Sequence, residues 1–303
     1  MKFDSVLLTG RTGFLGSYIY SHLKNRIKKL DTLGRSNMND LSFDLAGGRI
    51  KISNKYELII HCAGKAHVVP KTKEEEEEFF DINLKGTKHL LDALESSQNL
   101  PKSFVFISTV AVYGLDSGNN VNENYPLNAS DAYGSSKVLA EDLVQAWCLQ
   151  HHVVCTILRL PLIAGINPPG NLRAMIEGIK RGYYFNISGG IAKKSIVLAQ
   201  DVAEIIPIAA EIGGIYNLTD GNNPTFSELS VVISKQLNKS KPISLPKWLG
   251  LIVAKIGDLI GERAPINTKK LNKITSDLTF DDTLARQKLG WKPLSVLEGL
   301  KIT

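Results

Sequence analysis

The sequence predicts an α/β fold: a doubly wound parallel sheet followed by a smaller C-terminal α/β lobe. Three observations carry that expectation. The chain opens on an apolar run, Val6-Leu7-Leu8, which breaks at Gly10, Gly13 and Gly16 and resumes with the helical spacing Phe14, Leu15, Tyr18, Ile19, Leu23. Further short apolar runs at 30–33, 57–62, 104–109 and 153–160 are separated by helix-period segments, as in parallel strands joined by crossovers. Among them Phe104-Val105-Phe106-Ile107 is apolar throughout, which suits a strand covered on both faces.

The first turn has a chemical reading. Where a strand turns into a helix through three spaced glycines, the first permits the tight turn, the second admits a diphosphate to the backbone and the third lets helix and strand close up. The amides at the helix N-terminus then face the anion. Gly10, Thr12, Gly13, Phe14, Leu15 and Gly16 are therefore the expected dinucleotide contacts of a Rossmann-type domain spanning 1–165, with residues near 190–220 returning to it. Residues 166–303 are expected to form mainly the substrate lobe.

Bulk properties narrow the class. With 303 residues, 43% of them hydrophobic and 22% charged, the chain can bury a large core. A net charge of +6 suits an anionic ligand, while the scattered basic residues form no stripe for nucleic acid. Cys62, Cys148 and Cys155 are odd in number and lack Cys-x-x-Cys spacing, so they are expected as free thiols in a reducing compartment, with no metal site. The N-terminus runs directly into the first strand and no segment has the length of a membrane span. A cytoplasmic protein is the expectation.

The end of the second strand, Leu30-Asp31-Thr32-Leu33, bears on the cofactor. An acid there would serve the ribose 2′-hydroxyl of NAD, whereas an arginine accommodates the 2′-phosphate of NADP. Gly34-Arg35 occupies the position, which favours NADP; Asp31, mid-strand, is the competing acid that would favour NAD. Asp44 and Leu45 fall where such folds bring a third strand's end near the adenine, the competing reading of Asp44 being an ordinary surface-loop acid. The fourth strand ends in Cys62-Ala63-Gly64, small residues that leave room for a ligand. His61 is read as core, Lys65 and His67 as loop residues that either touch a phosphate or are solvated, and Glu74 to Glu78 as the acidic first turns of a helix running on to Leu94, with Asn83 available to bond a neighbouring loop. The Phe104 strand ends in the hydroxyls of Ser108 and Thr109, followed by a polar loop from Tyr113 to Pro126.

The chemical centre is Tyr133-Gly134-Ser135-Ser136-Lys137, whose four-residue spacing sets Tyr133 and Lys137 on one helix face. A free phenol titrates near pH 10, and a nearby ammonium lowers it enough for acid–base work at neutral pH.

Taken together, 9–16, 61–64, 107–114, 133–137 and Leu289-Gly290-Trp291-Lys292-Pro293 resemble the extended short-chain dehydrogenase/reductases that act as NAD(P)-dependent nucleotide-sugar epimerases, dehydratases and reductases. The resemblance covers nearly the whole chain and includes the glycine spacing. It implies a catalytic triad in which Thr109 bonds the reacting sugar oxygen, Tyr133 exchanges its proton, and Lys137 holds the nicotinamide ribose. It also implies substrate contacts from Thr109, Val110 and Asn171, a diphosphate contact at Lys194 where relatives usually carry arginine, and a homodimer. A dehydratase of this type needs an acidic pair directly after the strand-end threonine; Val110 and Ala111 stand there instead. The expectation is NADPH-dependent reduction of the C4 keto group of a nucleotide sugar, of the UDP-4-keto-6-deoxy-N-acetylhexosamine type, for surface polysaccharide synthesis. The alternatives are an NAD-using 4-epimerase of UDP-linked or lipid-linked sugars and a non-catalytic NADP-binding regulator, which the intact triad disfavours. The apolar stretch 248–260 is expected to pack on the substrate lobe, the competing reading being contact with a membrane surface.

Overall fold

Val6 and Leu8 face one side of β1 (Ser5–Thr9) and Leu7 the other, and all three are fully buried, so the first strand already requires cover on both faces. The computed structural model, which describes residues 2–48, 50–260 and 267–302, supplies it. β1 is one strand of a seven-stranded parallel sheet with β2 (Lys29–Gly34), β3 (Leu41–Ser42), β4 (Leu58–His61), β5 (Ser103–Thr109), β7 (Val154–Leu160) and β11 (Gly214–Asn217), in the order β11-β7-β5-β4-β1-β2-β3. The chain winds outward through β2 and β3, then restarts at β4 on the other side of β1, with Val6 opposite both Leu30 and Leu58. The order therefore reverses between β1 and β4, where an open α/β sheet leaves a ligand crevice beyond its strand ends.

One face is covered by α1 (Phe14–Leu23) and α6 (Ala199–Ile212), which enclose Ile19, Leu23, Val105 and Ile206. The other is covered by α3 (Gly86–Ser96) and α4 (Ala132–Gln150), around Tyr56, Phe104, Phe106 and Trp147. Ahead of α3, α2 (Lys73–Phe80) is capped by Thr72, whose hydroxyl accepts from the Glu75 amide, and places Glu74, Glu75 and Glu76 in the first turn, where the helix dipole favours them.

Two stretches differ from the sequence expectation. The helix expected to run unbroken from Glu74 to Leu94 is interrupted by a π-turn over Asp81–Lys85, and the polar loop after Tyr113 contains a strand, β6 (Gly118–Val121). β6 pairs with β13 (Leu278–Phe280), and Asn120 N donates to Thr279 Oγ1 at 2.9 Å. A Gly-Asn-Asn-Val segment has little strand propensity; a partner supplied from far along the chain sets its conformation.

The smaller lobe pairs β8 (Leu162–Ala164) with β10 (Ile196–Leu198) over a core shared by α5 (Gly170–Arg181) and α7 (Phe226–Gln236). A short strand pair, β9 (Asn186–Ile187) with β12 (Ser244–Leu245), precedes α8 (Lys247–Ile260), which packs on α9 (Thr268–Thr275). The C-terminal segment then returns to the large sheet. α10 (Thr283–Leu289) ends at Gly290 with φ +66°, and Trp291 Nε1 donates to the Thr219 carbonyl at 2.9 Å. Asp201, in the first turn of α6, accepts from Leu294 N at 2.8 Å and fastens the same segment.

Candidate active site

At the switch point the backbones of β1 and β4 nearly touch. Gly10 adopts φ +77°, and a Cβ added there would lie 2.6 Å from Ala63 N; one added at Gly16 would collide with the Gly10 carbonyl. Only glycine fits either place. No side chain caps α1 at Gly13, so its first-turn amides are left to face a ligand. The resulting cradle, bare backbone bordered by exposed Thr12 and by Phe14 packed edge-on to Tyr18, fits a dinucleotide diphosphate. On the β4 side, Ala63 N donates to Thr9 Oγ1 at 3.1 Å, the half-buried Cys62 has its thiol pushed up to about 12 by desolvation, and a Cβ at Gly64 would meet Asn83 Oδ1 at 3.0 Å. His61 lies between Thr9 Oγ1 (2.7 Å) and Thr87 Oγ1 (2.9 Å) and is brought down to about 3 by burial, then by Lys137. It is a neutral core residue.

The end of β2 presents cations. Arg35 is exposed just beyond Gly34, with no side-chain partner among the described residues, and Arg11 reaches the same loop, its Nη1 donating to the Met38 carbonyl at 2.8 Å while its guanidinium lies 3.7 Å from the Tyr20 ring centroid. Asp31 is engaged elsewhere, accepting from Tyr56 Oη at 2.5 Å. Asp44 caps a short 3-10 turn through the Ala46 amide, and Leu45 is buried, its carbonyl bonded to the His89 ring. Arg11 was not among the expected contacts, because the spacing of the glycines carries no signal of where a side chain between them will reach.

Thr109, Tyr133 and Lys137 converge at the ends of β5 and α4. Asp131 caps α4 by accepting from the Gly134 amide at 3.0 Å, which fixes the turn that delivers Tyr133. The Tyr133 ring lies 6.0 Å from the Phe79 ring, and its hydroxyl shares a hydrogen bond with Thr109. Burial pushes the phenol up to about 12, the Thr109 bond acting against it. Lys137 does not pair with Tyr133. Its Nζ donates to the Ile107 carbonyl at 2.6 Å and lies 3.8 Å from the Phe106 ring centroid, and burial brings the amine down to about 8. The lowering of Tyr133 expected from Lys137 is thus absent, because the lysine is held against β5 and desolvation dominates the phenol.

Beneath these groups lies a buried network that spacing did not reveal. Arg159 Nη2 donates to Glu141 Oε2 at 2.7 Å, Ser108 donates to Glu141 Oε1, and Arg159 Nη1 donates to Tyr113 Oη at 3.1 Å. Tyr113 Oη donates to Asn217 Oδ1 at 2.8 Å, so β5, α4, β7 and β11 meet in one set of bonds. Asn83, at the π-turn, accepts from Lys65 N at 2.7 Å and donates to the Lys65 carbonyl and to Ser136 Oγ. It thereby fastens the loop after β4 to the helix that carries Tyr133 and Lys137.

The expected substrate contacts are spread more widely. Val110 begins the 3-10 turn capped by Thr109, and Asn171 is exposed in the first turn of α5. Lys194 Nζ donates to the Lys273 carbonyl at 2.9 Å and is brought down to about 8 by burial, then by the Lys273 charge. Adjacent to it, Lys193 N donates to Asp277, which lines an open depression of about 520 Å³ with Gly118, Asn119, Ile191, Ala192 and Thr275.

Comparison with known proteins agrees with this geometry. The chain is 26% identical over 318 residues to N-acetyl-α-D-glucosaminyl-diphospho-ditrans,octacis-undecaprenol 4-epimerase of Escherichia coli O157:H7, covering 99% of this chain and 94% of the relative. It is 26% identical over 328 residues to UDP-glucose 4-epimerase of Vibrio cholerae, with the same coverage. Among solved structures, UDP-glucose 4-epimerase of Thermotoga maritima with UDP-glucose superposes with a TM-score of 0.73 at 22% identity, covering 98% of this chain and 96% of that one. The family description "NAD dependent epimerase/dehydratase family" matches residues 6–219. With the glycine cradle at the β1–β4 switch point and a threonine, tyrosine and lysine converging beside it, the chain belongs to the NAD dependent epimerase/dehydratase family.

Proposed function

We propose that this protein is an NADPH-dependent reductase of the C4 keto group of a nucleotide-activated sugar, of the UDP-4-keto-6-deoxy-N-acetylhexosamine type. The observation that carries the reading is the end of β2, where Arg35 and Arg11 offer two guanidiniums to a 2′-phosphate and Asp31 is turned away to Tyr56. In this reading the glycine cradle holds the diphosphate, Arg35 and Arg11 the 2′-phosphate, and Lys137 the nicotinamide ribose. When bound, NADPH supplies the hydride. The chain's own residues supply orientation and the proton: Thr109 holds the sugar O4, and Tyr133 donates its hydroxyl proton to O4 as C4 is reduced. Burial keeps the Tyr133 phenol protonated, the state a general acid needs. Asn171 and Lys194 would receive the diphosphate of the sugar nucleotide.

A second reading, a 4-epimerase of a nucleotide-linked or polyprenol-linked sugar, is favoured by the two relatives that match along nearly their whole length. The two differ in redox balance. A reductase consumes one NADPH per product, whereas an epimerase shows no net change in the nicotinamide. NADPH loss on mixing with a 4-keto sugar nucleotide, together with tighter binding of NADPH than NADH, is the expected result. Arg35→Asp should move the NADPH-to-NADH preference by at least about tenfold, the size of one charge-assisted contact. Copurified NAD and interconversion of UDP-hexoses without absorbance change would replace the first reading with the second.

A further inference from the structure

Among the described residues no helix is long and apolar enough to cross a membrane, yet α8 exposes a continuous apolar stripe. Its inner face packs normally: Ala254 is buried, and a Cβ at Gly250 would lie 2.8 Å from Ile187, so α8 sits tightly on β9. The outer face is the anomaly. Trp248, Ile252, Ile256 and Leu259 are 60, 50, 57 and 89% exposed, and their spacing places them within one arc of the helix. Just ahead of β12 and β9, Ile243, whose carbonyl accepts from Asn186 N, and Phe185 are also exposed.

The charges along this segment are mostly positive. Residues 235–260 contain five lysines and a single acid, Asp258, whose carboxylate is taken up by Thr268 through its amide (2.9 Å) and hydroxyl. Lys241, Lys247 and Lys255 are exposed along the stripe, and Lys180 and Arg181 stand just before Tyr183 and Phe185. An apolar helix face with a tryptophan near one end and exposed lysines beside it complements the interface of an anionic bilayer, where rings and aliphatic groups enter the acyl boundary and ammonium groups meet phosphates. A second copy of this chain would set these lysines against one another.

We infer that α8 and the adjoining β9–β12 pair dock this protein peripherally on an anionic phospholipid surface. The surface lies close to the substrate side of the molecule: Gly189 N donates to Ser244 Oγ of β12 at 3.0 Å, and Ile191 and Ala192, next along that turn, line the depression beside Lys194. The inference concerns binding to lipid and stands whether the enzyme is a reductase or an epimerase.

Trp248 gives a direct readout, since the other two tryptophans, Trp147 and Trp291, are buried. Adding vesicles of phosphatidylcholine and phosphatidylglycerol should shift Trp248 emission to the blue and carry the protein down on sedimentation. Vesicles of phosphatidylcholine alone should do so at least about tenfold less, and high salt should weaken the effect. The Lys247→Glu/Lys255→Glu and Ile252→Ser/Ile256→Ser variants change only exposed positions and should each lower partitioning by about tenfold or more at unchanged thermal midpoint. Emission unaltered by phosphatidylglycerol vesicles, partitioning insensitive to both variants, or a blue shift that follows protein concentration in the absence of lipid would overturn the inference, the last assigning the face to a second copy.

Discussion

Arg159→Met probes the network that sets the height and rotation of α4. Arg159 and Glu141 are 3 and 0% exposed, and the guanidinium makes three contacts to the Glu141 carboxylate (3.2, 3.2 and 2.7 Å) besides one to Tyr113. Removing the arginine leaves a carboxylate in an apolar site with Ser108 as its remaining side-chain partner, a loss that costs about 3–5 kcal/mol where one member of a buried pair is deleted. The double variant Glu141→Met/Arg159→Met removes both charges at similar volume and should recover most of that loss, because the pair's attraction is largely offset by its desolvation. Urea unfolding of the two variants measures the difference, with the slope reporting whether the folded state stays compact. Since Glu141 follows Lys137 by one turn, the single variant should also lower kcat more than KM. A single variant within about 1 kcal/mol of the parent, or a double variant less stable than the single, would refute the claim that an uncompensated charge is what the arginine prevents.

Two further outcomes follow from the site. Tyr133→Phe keeps the ring that packs on Phe79 and should bind NADPH as the parent does while losing turnover; retained turnover would remove the phenol from the reaction. The Lys137 amine, brought from 10.5 to about 8 by burial, makes folding less favourable while both states carry the charge, at pH below 8. As pH rises from 8 the folded state becomes neutral first, so this contribution to stability increases up to the ordinary lysine value. The parent should therefore gain about 2 kcal/mol relative to Lys137→Met between pH 8 and pH 10, read by urea unfolding, and equal pH dependence of the two would contradict the assignment.

The glycines were legible because their reason is local: a turn with φ +77° and a helix lying against a carbonyl admit no side chain, so the residue type announces the geometry. The strands were legible for a related reason. Val6, Leu7 and Leu8 bury on opposite faces, as in a sheet covered on both sides. Tyr133 and Lys137 were placed on one helix by their spacing, yet spacing says nothing about what a side chain finds on arrival. Lys137 takes the Ile107 carbonyl, thirty residues away, in place of the phenol it was expected to tune. Asn83 bonds the Lys65 loop, as its place in the sequence suggested, but its further bond to Ser136 exists only once β4 and α4 are neighbours. β6 became a strand by pairing with β13, and Glu141 and Arg159 became partners across α4 and β7, neither pair marked by any local pattern. Fold class and candidate chemistry lie in short-range constraints on backbone and burial, which single residues express. The electrostatic state of the site and the face α8 leaves uncovered depend on desolvation and long-range contact, which arise when the packed chain brings distant groups together.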